Sequence, residues 1–401
     1  MSDKVFVTGM GIISAIGNNT AEVLNSLNLS KSGIGFTTHL NTIHRNELPV
    51  AEVKPSNEEL LEIAGLANGQ AYTRTALLGM IAAKEAVVSS GIKDISEIRT
   101  GLVSATSVGG MDKSEHFISS FIKDNKSGKL IDIVTHDCGD STDKIADFLG
   151  IKDYITTIST ACSSSANSIM FGARLIKNGI LDRVIAGGVD SLTKFTLNGF
   201  NTLMILDKTG CKPFDNKRNG LTLGEGAGFI VLESERAANS ANKKILCELK
   251  GYNNSCDAYH QTASSPDGYG AFLAMKGAVD MSRLSTEKID YINAHGTGTV
   301  NNDLSEGKAI EKIFDNKIPK LSSTKSFTGH TLGAAGGIEA VLSVLSIKHQ
   351  TIFPNLNFGQ QMKELNFSPV TSLIKNVKIN NVLSNSFGFG GNNTTLIFSK
   401  V

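Results

Sequence analysis

Three side chains stand out for the chemistry that they could do together: Cys162, His295 and His330. Cys162 lies between a β-type run, ITTIST, and a stretch whose apolar residues (Ala166, Ile169, Met170, Ala173, Ile176) recur at helical spacing. Its sulfur is therefore expected at a helix N-terminus, where the dipole and free amides favour a thiolate and lower the pKa. The Ser163-Ser164-Ser165 run suits a first turn and keeps small side chains around the sulfur. A free cysteine is more often an inert buried residue; this placement tips the reading to a nucleophile. His295, in Asn293-Ala294-His295-Gly296-Thr297-Gly298-Thr299, ends the short run YIN. His330 closes Lys325-Ser326-Phe327-Thr328-Gly329-His330, which follows the strand-like LSST and precedes a Gly/Ala-rich helix. Each His alone is equally well read as a satisfied structural residue. Strand ends facing one crevice are where α/β sheets bind ligands, so a Cys and two His on three such ends form a site. A fourth motif, Asn385 to Asn393 (NSFGFGGNN), has glycines that permit unusual φ, and its amides could face a developing oxyanion. A simple hairpin is the bland reading, and it leaves two aromatics among three glycines unexplained.

Positioning these residues requires an α/β frame. VFVTGMGIIS reads as a strand with a glycine turn, Tyr72 to Ser89 as a helix stopped by Gly91, and RTGLVSAT and DRVIAGGVDS as strands. Strand–helix–strand order with short links implies parallel pairing and right-handed crossovers. FIVLES, ILCELKGY, YINAHG, NNVLSNSFG and TTLIFSK continue the strands, and the helices GYGAFLAMKGAVDMS, DLSEGKAIEKIF and GGIEAVLSVLSIKH alternate with them. The element order implies two related α/β halves: 1–240 with the nucleophile, and 241–401 with the two His motifs and the glycine-rich loop. No fixed-period repeat accompanies them. A polar insertion at about 108–150 reads as a surface cap and holds three weaker catalytic candidates, His116, His136 and Cys138.

Composition removes several classes. Lys+Arg number 39 and Asp+Glu 38 in 401 residues, a formal charge of +1. A general binder of nucleic acid or anionic membrane would need a basic excess. Apolar residues at 40% and charged residues at 19% are ordinary for a globular chain. Five cysteines, odd in number and irregularly spaced, argue against a disulfide scaffold or a structural zinc site and for a reducing, cytoplasmic setting. The eight histidines pair with no cysteine at zinc spacing, so no metal is expected. The N-terminus lacks the pattern of a signal peptide. The longest apolar stretch, Leu332 to Ile347, carries Glu339 and is too short to span a bilayer. TGMGIIS resembles the start of a dinucleotide loop but lacks the third glycine and the later acidic residue. The sequence holds no P-loop, HExxH or GxSxG motif.

Taken together, the motifs resemble those of the elongating β-ketoacyl-acyl carrier protein synthases, condensing enzymes of the thiolase superfamily. The resemblance runs nearly end to end, through TACSSS, AGGVDS, KPFDNKRNGLTLGEGAGFIVLE, DAYHQTASSPDG, NAHGTGT, KSFTGHTLGAAGGIEA and NSFGFGGNN. It implies a thiolase-like five-layer αβαβα fold, a dimer through the first half, and a Cys-His-His centre. It implies that Cys162 carries an acyl chain as a thioester, and that His295 and His330 stabilise the enolate left when malonyl-carrier loses CO₂. The amides of Cys162 and Phe389 would form the oxyanion hole, with Phe389 also gating the acyl pocket. Lys325 matches an active-site lysine expected to tune the His330 region, and Glu339 its polar partner. Asp303 and Glu306 match a support shell for the loop after His295. Thr262, Thr297 and Thr299 match residues that hold the phosphopantetheine arm. That arm arrives on the carrier protein, so no other cofactor is implied. The acidic carrier protein would dock on a local basic patch, with Lys212, Arg74, Lys208 and Arg218 as candidates.

The chain departs from the family pattern at Asn392, where Thr or Gln is usual, and in the short, divergent segment between Gly110 and Thr160. The early segment LPVAEVKPSNEELLEIAGL is more similar to ketosynthases of bacterial aryl-polyene or related pigment pathways. A thiolase would need a second late cysteine, and none follows Cys256; an initiating synthase would need Asn at position 330. The remaining alternative is a non-catalytic chain-length partner in a ketosynthase heterodimer, and the intact Cys162, His295 and His330 oppose it.

Overall fold

The computed structural model describes residues 4–67, 72–315 and 317–401; Met1–Asp3, part of the N-terminal reading, lie outside them. In chain order the strands are β1 (Val5–Ser14), β2 (Thr100–Ala105), β3 (Tyr154–Ile158), β4 (Arg183–Asp190), β5 (Gly226–Ser234), β6 (Cys247–Cys256), β7 (Tyr291–Asn293), β8 (Lys320–Ser322), β9 (Asn381–Phe387) and β10 (Asn392–Ser399). They hydrogen-bond in the order β3-β2-β4-β5-β1-β6-β10-β9-β7-β8. Counted from β6 as a new first strand, the second five repeat the order of the first five. The pairing senses repeat too. β2 is parallel to β3 and β4, while β5 is antiparallel to β4 and β1. Likewise β7 is parallel to β8 and β9, while β10 is antiparallel to β9 and β6. Among the described strands, the parallel ladders thus lie around β2 and β7, and each half is a mixed sheet. The halves meet where Phe6 and Val7 of β1 pair with Glu248 and Cys247 of β6.

Side-chain alternation builds the layers, since successive strand residues face opposite sides. In β5, Phe229 and Val231 join an outer core with Leu77, Leu78 and Ile81 of the helix Arg74–Ser89. Ile230 and Leu232 face the other way, into a central core with Ile169 of the helix Ser164–Lys177 and Ile338 of the helix Ala335–His349. In β10, Leu396 and Phe398 face that central core, and Ile397 faces a third core with Met275 and Ile310. The result is five layers, αβαβα. With both faces covered, the strands read as near-continuous apolar runs. The central helices sit very close to the sheet. A Cβ on Gly228 would lie 2.4 Å from the Ile338 nitrogen, and one on Gly337 2.3 Å from the Gly228 oxygen, so both positions need glycine.

The 108–150 segment is only partly a surface cap. Its helix Met111–Lys123 buries Ser114 alone and exposes Ile118, Phe121 and Ile122. The helix Cys138–Leu149 instead belongs to the outer layer, with Ile145 and Ala146 fully buried beside the helix Arg74–Ser89.

Candidate active site

Cys162 follows Ala161, whose φ of 53° turns the chain sharply from the strand end into the helix Ser164–Lys177. This places the sulfur just ahead of the helix N-terminus, 5% exposed. The expected low pKa is not found: burial pushes the Cys162 thiol up to about 11. The Lys325 charge and the amides of Phe389 and Cys162 pull the other way and lose to desolvation. At rest the sulfur is a thiol facing two backbone donors, the pair that the resemblance implies for an oxyanion hole.

His295 lies just past β7, and His330 lies between the turn Lys325–Thr328 and the helix Ala335–His349. Both are buried, and their rings meet edge-on with centroids 5.3 Å apart. Lys325 Nζ donates to His295 Nδ1 at 3.3 Å and pairs with Glu339. An ammonium group has no lone pair, so Nδ1 is the acceptor and the His295 proton resides on Nε2. Burial, then the Lys325 charge, lowers both histidines well below the usual imidazole range, with the His330 ring adding to the effect on His295. Both are neutral at pH 7 and can offer N–H groups to a substrate oxygen. Lys325 contacts His295 directly, and it reaches His330, the region that the resemblance has it tune, through its field. Burial raises Glu339 to about 7, with the Lys325 charge opposing.

The loop after His295 is held from below. Glu306 accepts the amides of His295 at 2.9 Å and Gly296 at 2.8 Å, and Asn385 Nδ2 at 2.9 Å. Asp303 accepts the amides of Phe214 at 2.7 Å and Gly298 at 3.1 Å. The glycine loop does join two antiparallel strands, as a hairpin would, and Gly390 and Gly391 hold φ of 80° and 79°. Phe389 stacks on Phe200 at 5.8 Å, and the Gly390 amide donates to the Gln261 carbonyl at 2.7 Å.

Cys162, His295, His330, Phe200 and Phe389 line one cavity of about 210 Å³. Thr262, Thr297 and Thr299 lie on its wall. The site therefore joins a sulfur from the first half to two imidazoles from the second.

The basic candidates divide. Arg74 is buried and bonded to Glu225 at 2.7 Å, to the carbonyls of Val53 and Pro55 and to Asn57. Arg218 is buried and donates to the carbonyls of Asp215, Thr299 and Val300. Neither guanidinium is offered to a docking partner, because each is consumed by internal acceptors. Lys208 is exposed, and Lys212 is half-buried with Asp207 at 3.6 Å. The weak candidates His116, His136 and Cys138 do not line the Cys162 cavity; His136 Nδ1 is bonded to Ser114 at 2.9 Å.

Sequence reasoning missed Phe200 and Asp190. Phe200 sits on the helix Lys194–Thr202, whose pattern carries no chemical signal. Asp190 is fully buried at the end of β4, accepts from Thr106, Ser107, Val108 and Gly333, and so ties the loop after β2 to the turn after His330. The charged end of AGGVDS was its only sequence signal.

A layered αβαβα sheet protein with a cysteine and two histidines converging on one cavity between its halves is a thiolase-like condensing fold. Family models for the N-terminal and C-terminal domains of β-ketoacyl synthase match residues 2–238 and 246–359, and the chain belongs to that family. It is 33% identical over 419 residues to 3-oxoacyl-[acyl-carrier-protein] synthase 2 of Staphylococcus aureus strain N315, covering 99% of this chain and 98% of that one. To the Coxiella burnetii protein of the same name it is 32% identical over 418 residues, with 99% of each covered. Among solved structures, a chain of the ishigamide ketosynthase/chain length factor superposes with a TM-score of 0.94 at 29% identity, covering 99% of both. A chain from the ketosynthase ApeO in complex with its chain length factor ApeC, from Xenorhabdus doucetiae, superposes with a TM-score of 0.87 at 30% identity, covering 99% of this chain and 98% of that one. No helix among the described residues is long and apolar enough to cross a membrane.

Proposed function

We propose that this chain is an acyltransferase that catalyses decarboxylative condensation of a malonyl thioester with an acyl group carried on Cys162. The observation that carries it is the shared cavity in which the sulfur, two neutral imidazoles and two sulfur-facing amides converge. An acyl-carrier thioester meets the Cys162 thiol, and a neutral imidazole takes the thiol proton as the sulfur attacks. The tetrahedral oxyanion rests on the amides of Cys162 and Phe389, where preorganised donors stabilise it. Collapse expels the carrier thiolate, which receives the proton. Malonyl-carrier then enters, and its thioester oxygen accepts N–H groups from His295 and His330. The C–C bond to the carboxylate breaks, CO₂ leaves, and the electron pair becomes an enolate. The enolate carbon attacks the acyl-Cys162 carbonyl, the oxyanion returns to the same amides, and the sulfur departs. The product is a β-ketoacyl-carrier, with Cys162 freed to take up a proton.

Thr262, Thr297 and Thr299, on the cavity wall, fit the polar phosphopantetheine arm that delivers both substrates, and the chemistry calls for no further cofactor. The 3-oxoacyl-[acyl-carrier-protein] synthases among its relatives support an acyl carrier protein as partner, and a solved ketosynthase holds such a carrier in complex. Lys208 and Lys212 are the basic residues left for that contact. Pairing with a second ketosynthase-like chain is supported by β3, an edge strand with an unpaired side, and by the exposed apolar face of the helix Met111–Lys123. The ketosynthase/chain length factor complexes among its structural neighbours support a heterodimer as the alternative to a homodimer. They equally support service in a specialised polyene or polyketide pathway. The purified chain should convert acyl-carrier plus malonyl-carrier to β-ketoacyl-carrier, read by mass spectrometry across a panel of acyl lengths. No product from any acyl group, alone or with a chain-length partner, would overturn the reading.

A further inference from the structure

Asn392 links the turn that bears Cys162 to the glycine loop. Its Oδ1 accepts Ser163 Oγ at 2.7 Å, Asn167 Nδ2 at 2.9 Å and Asn254 Nδ2 at 2.7 Å. Ser163 adjoins Cys162 and is fully buried; its single proton is shared with the Thr160 carbonyl at 2.8 Å. Asn167 also donates to Thr160 Oγ1 at 2.9 Å and accepts from Thr394 at 2.7 Å. The Asn392 carbonyl, meanwhile, accepts the Gly388 amide at 2.9 Å. Gly388 lies so near the nucleophile turn that a Cβ on it would stand 3.0 Å from the Thr160 oxygen and 3.2 Å from the Cys162 nitrogen. One residue thus grips, through its side chain, the turn that bears the Cys162 amide. Through its backbone it grips the loop that bears the Phe389 amide.

We propose that Asn392 is a positioning residue that sets the separation of the Cys162 and Phe389 amides, and thereby controls acyl transfer to and from the sulfur. This rests on the condensing reading above. Decarboxylation of the malonyl thioester relies on His295 and His330 and does not use that separation. The two half-reactions therefore distinguish positioning from general damage.

The test measures both in the full-length chain: burst acylation of Cys162 by an acyl-carrier, and acetyl-carrier formed from malonyl-carrier. Asn392→Ala should slow acylation by up to about 100-fold, the scale of a reacting or stabilising group misplaced by about 1 Å, with decarboxylation within twofold of wild type. Asn392→Asp keeps the accepting oxygen and should restore acylation to within a few-fold. Unchanged acylation in Asn392→Ala, or equal loss of both half-reactions without rescue by Asn392→Asp, would overturn the proposal. Should Asn392→Ala fail to fold, Ser163→Ala removes one donor from the opposite side. Selective loss of acylation there supports the proposal and unchanged acylation refutes it. If the wild-type chain loads no acyl group on Cys162, the condensing reading itself fails, and this proposal with it.

Discussion

Lys325 Nζ stands 3.3 Å from His295 Nδ1 while its charge is balanced by Glu339. One cation thus fixes the tautomer of one imidazole and lowers the pKa of both, since it also depresses His330. Lys325→Ala removes a positive charge from beside two bases, so both pKa values should rise. The histidines work neutral, so decarboxylation should then fail at a higher pH than in the wild type. The acid limb should move upward, though burial, the larger cause, still holds both rings below the ordinary range, and a pH–rate profile of acetyl-carrier formation checks it. An unmoved limb would separate Lys325 from the histidines.

The sulfur offers a second test. With Cys162 pushed up to about 11, its thiolate fraction should grow about tenfold per unit between pH 7 and 9. Iodoacetamide modification of Cys162, followed by peptide mass spectrometry, should rise with that slope. Exposed Cys256 is free to react at least as fast with so small a reagent. An acyl-carrier, by contrast, should load Cys162 alone, and Cys162→Ser should carry no thioester. Loading of another cysteine in that variant would misplace the nucleophile.

Arg74 and Lys212 should behave in opposite ways. Arg74→Ala leaves Glu225 buried without its cation, a change that typically costs about 3–5 kcal/mol. It should lower the thermal midpoint. Lys208→Glu alone, at an exposed lysine, should keep the midpoint, and Lys208→Glu with Lys212→Glu should raise KM for carrier substrates several-fold, with the difference shrinking at high salt. A salt-independent KM would remove these lysines from the docking surface.

Phe200→Ala takes away the ring on which Phe389 stacks. Such pairs contribute about 0.5–1.5 kcal/mol, so Cys162 acylation should slow by about three- to tenfold as the Phe389 amide loses support. Stopped-flow acylation measures it. An unchanged rate would show that the glycine loop holds its shape without the stack.

Much of this architecture was legible in the residues. The runs FIVLES and TTLIFSK became β5 and β10, and Gly179, which ends the nucleophile helix, has a φ of 68°. The motifs around Cys162, His295 and His330 do converge on one cavity, but the strand-end expectation holds only for Cys162 and His295, which follow β3 and β7; the turn Lys325–Thr328 stands between β8 and His330. What failed depends on depth. A helix N-terminus suggests a low thiol pKa, yet the sequence does not say how little water reaches it, and desolvation wins at Cys162. Arg74 and Arg218 look like surface charge in one dimension; their acceptors, Glu225 and the 299–300 carbonyls, lie far along the chain. Antiparallel β5 was hidden for a similar reason: pairing sense is decided by which strand lies beside it, not by its own composition.

The ladder between β1 and β6 has one further consequence. Cys162 belongs to one five-stranded unit and His295 and His330 to the other, and the two are joined in sequence by the short link between Ser240 and Cys247. A protease nick in that link would leave two fragments, neither of which owns a complete set of reacting groups. Catalysis should therefore persist only while the fragments stay together through the strand pairing at Phe6 and Val7 and the central core that they share, and activity after dilution would report that association directly.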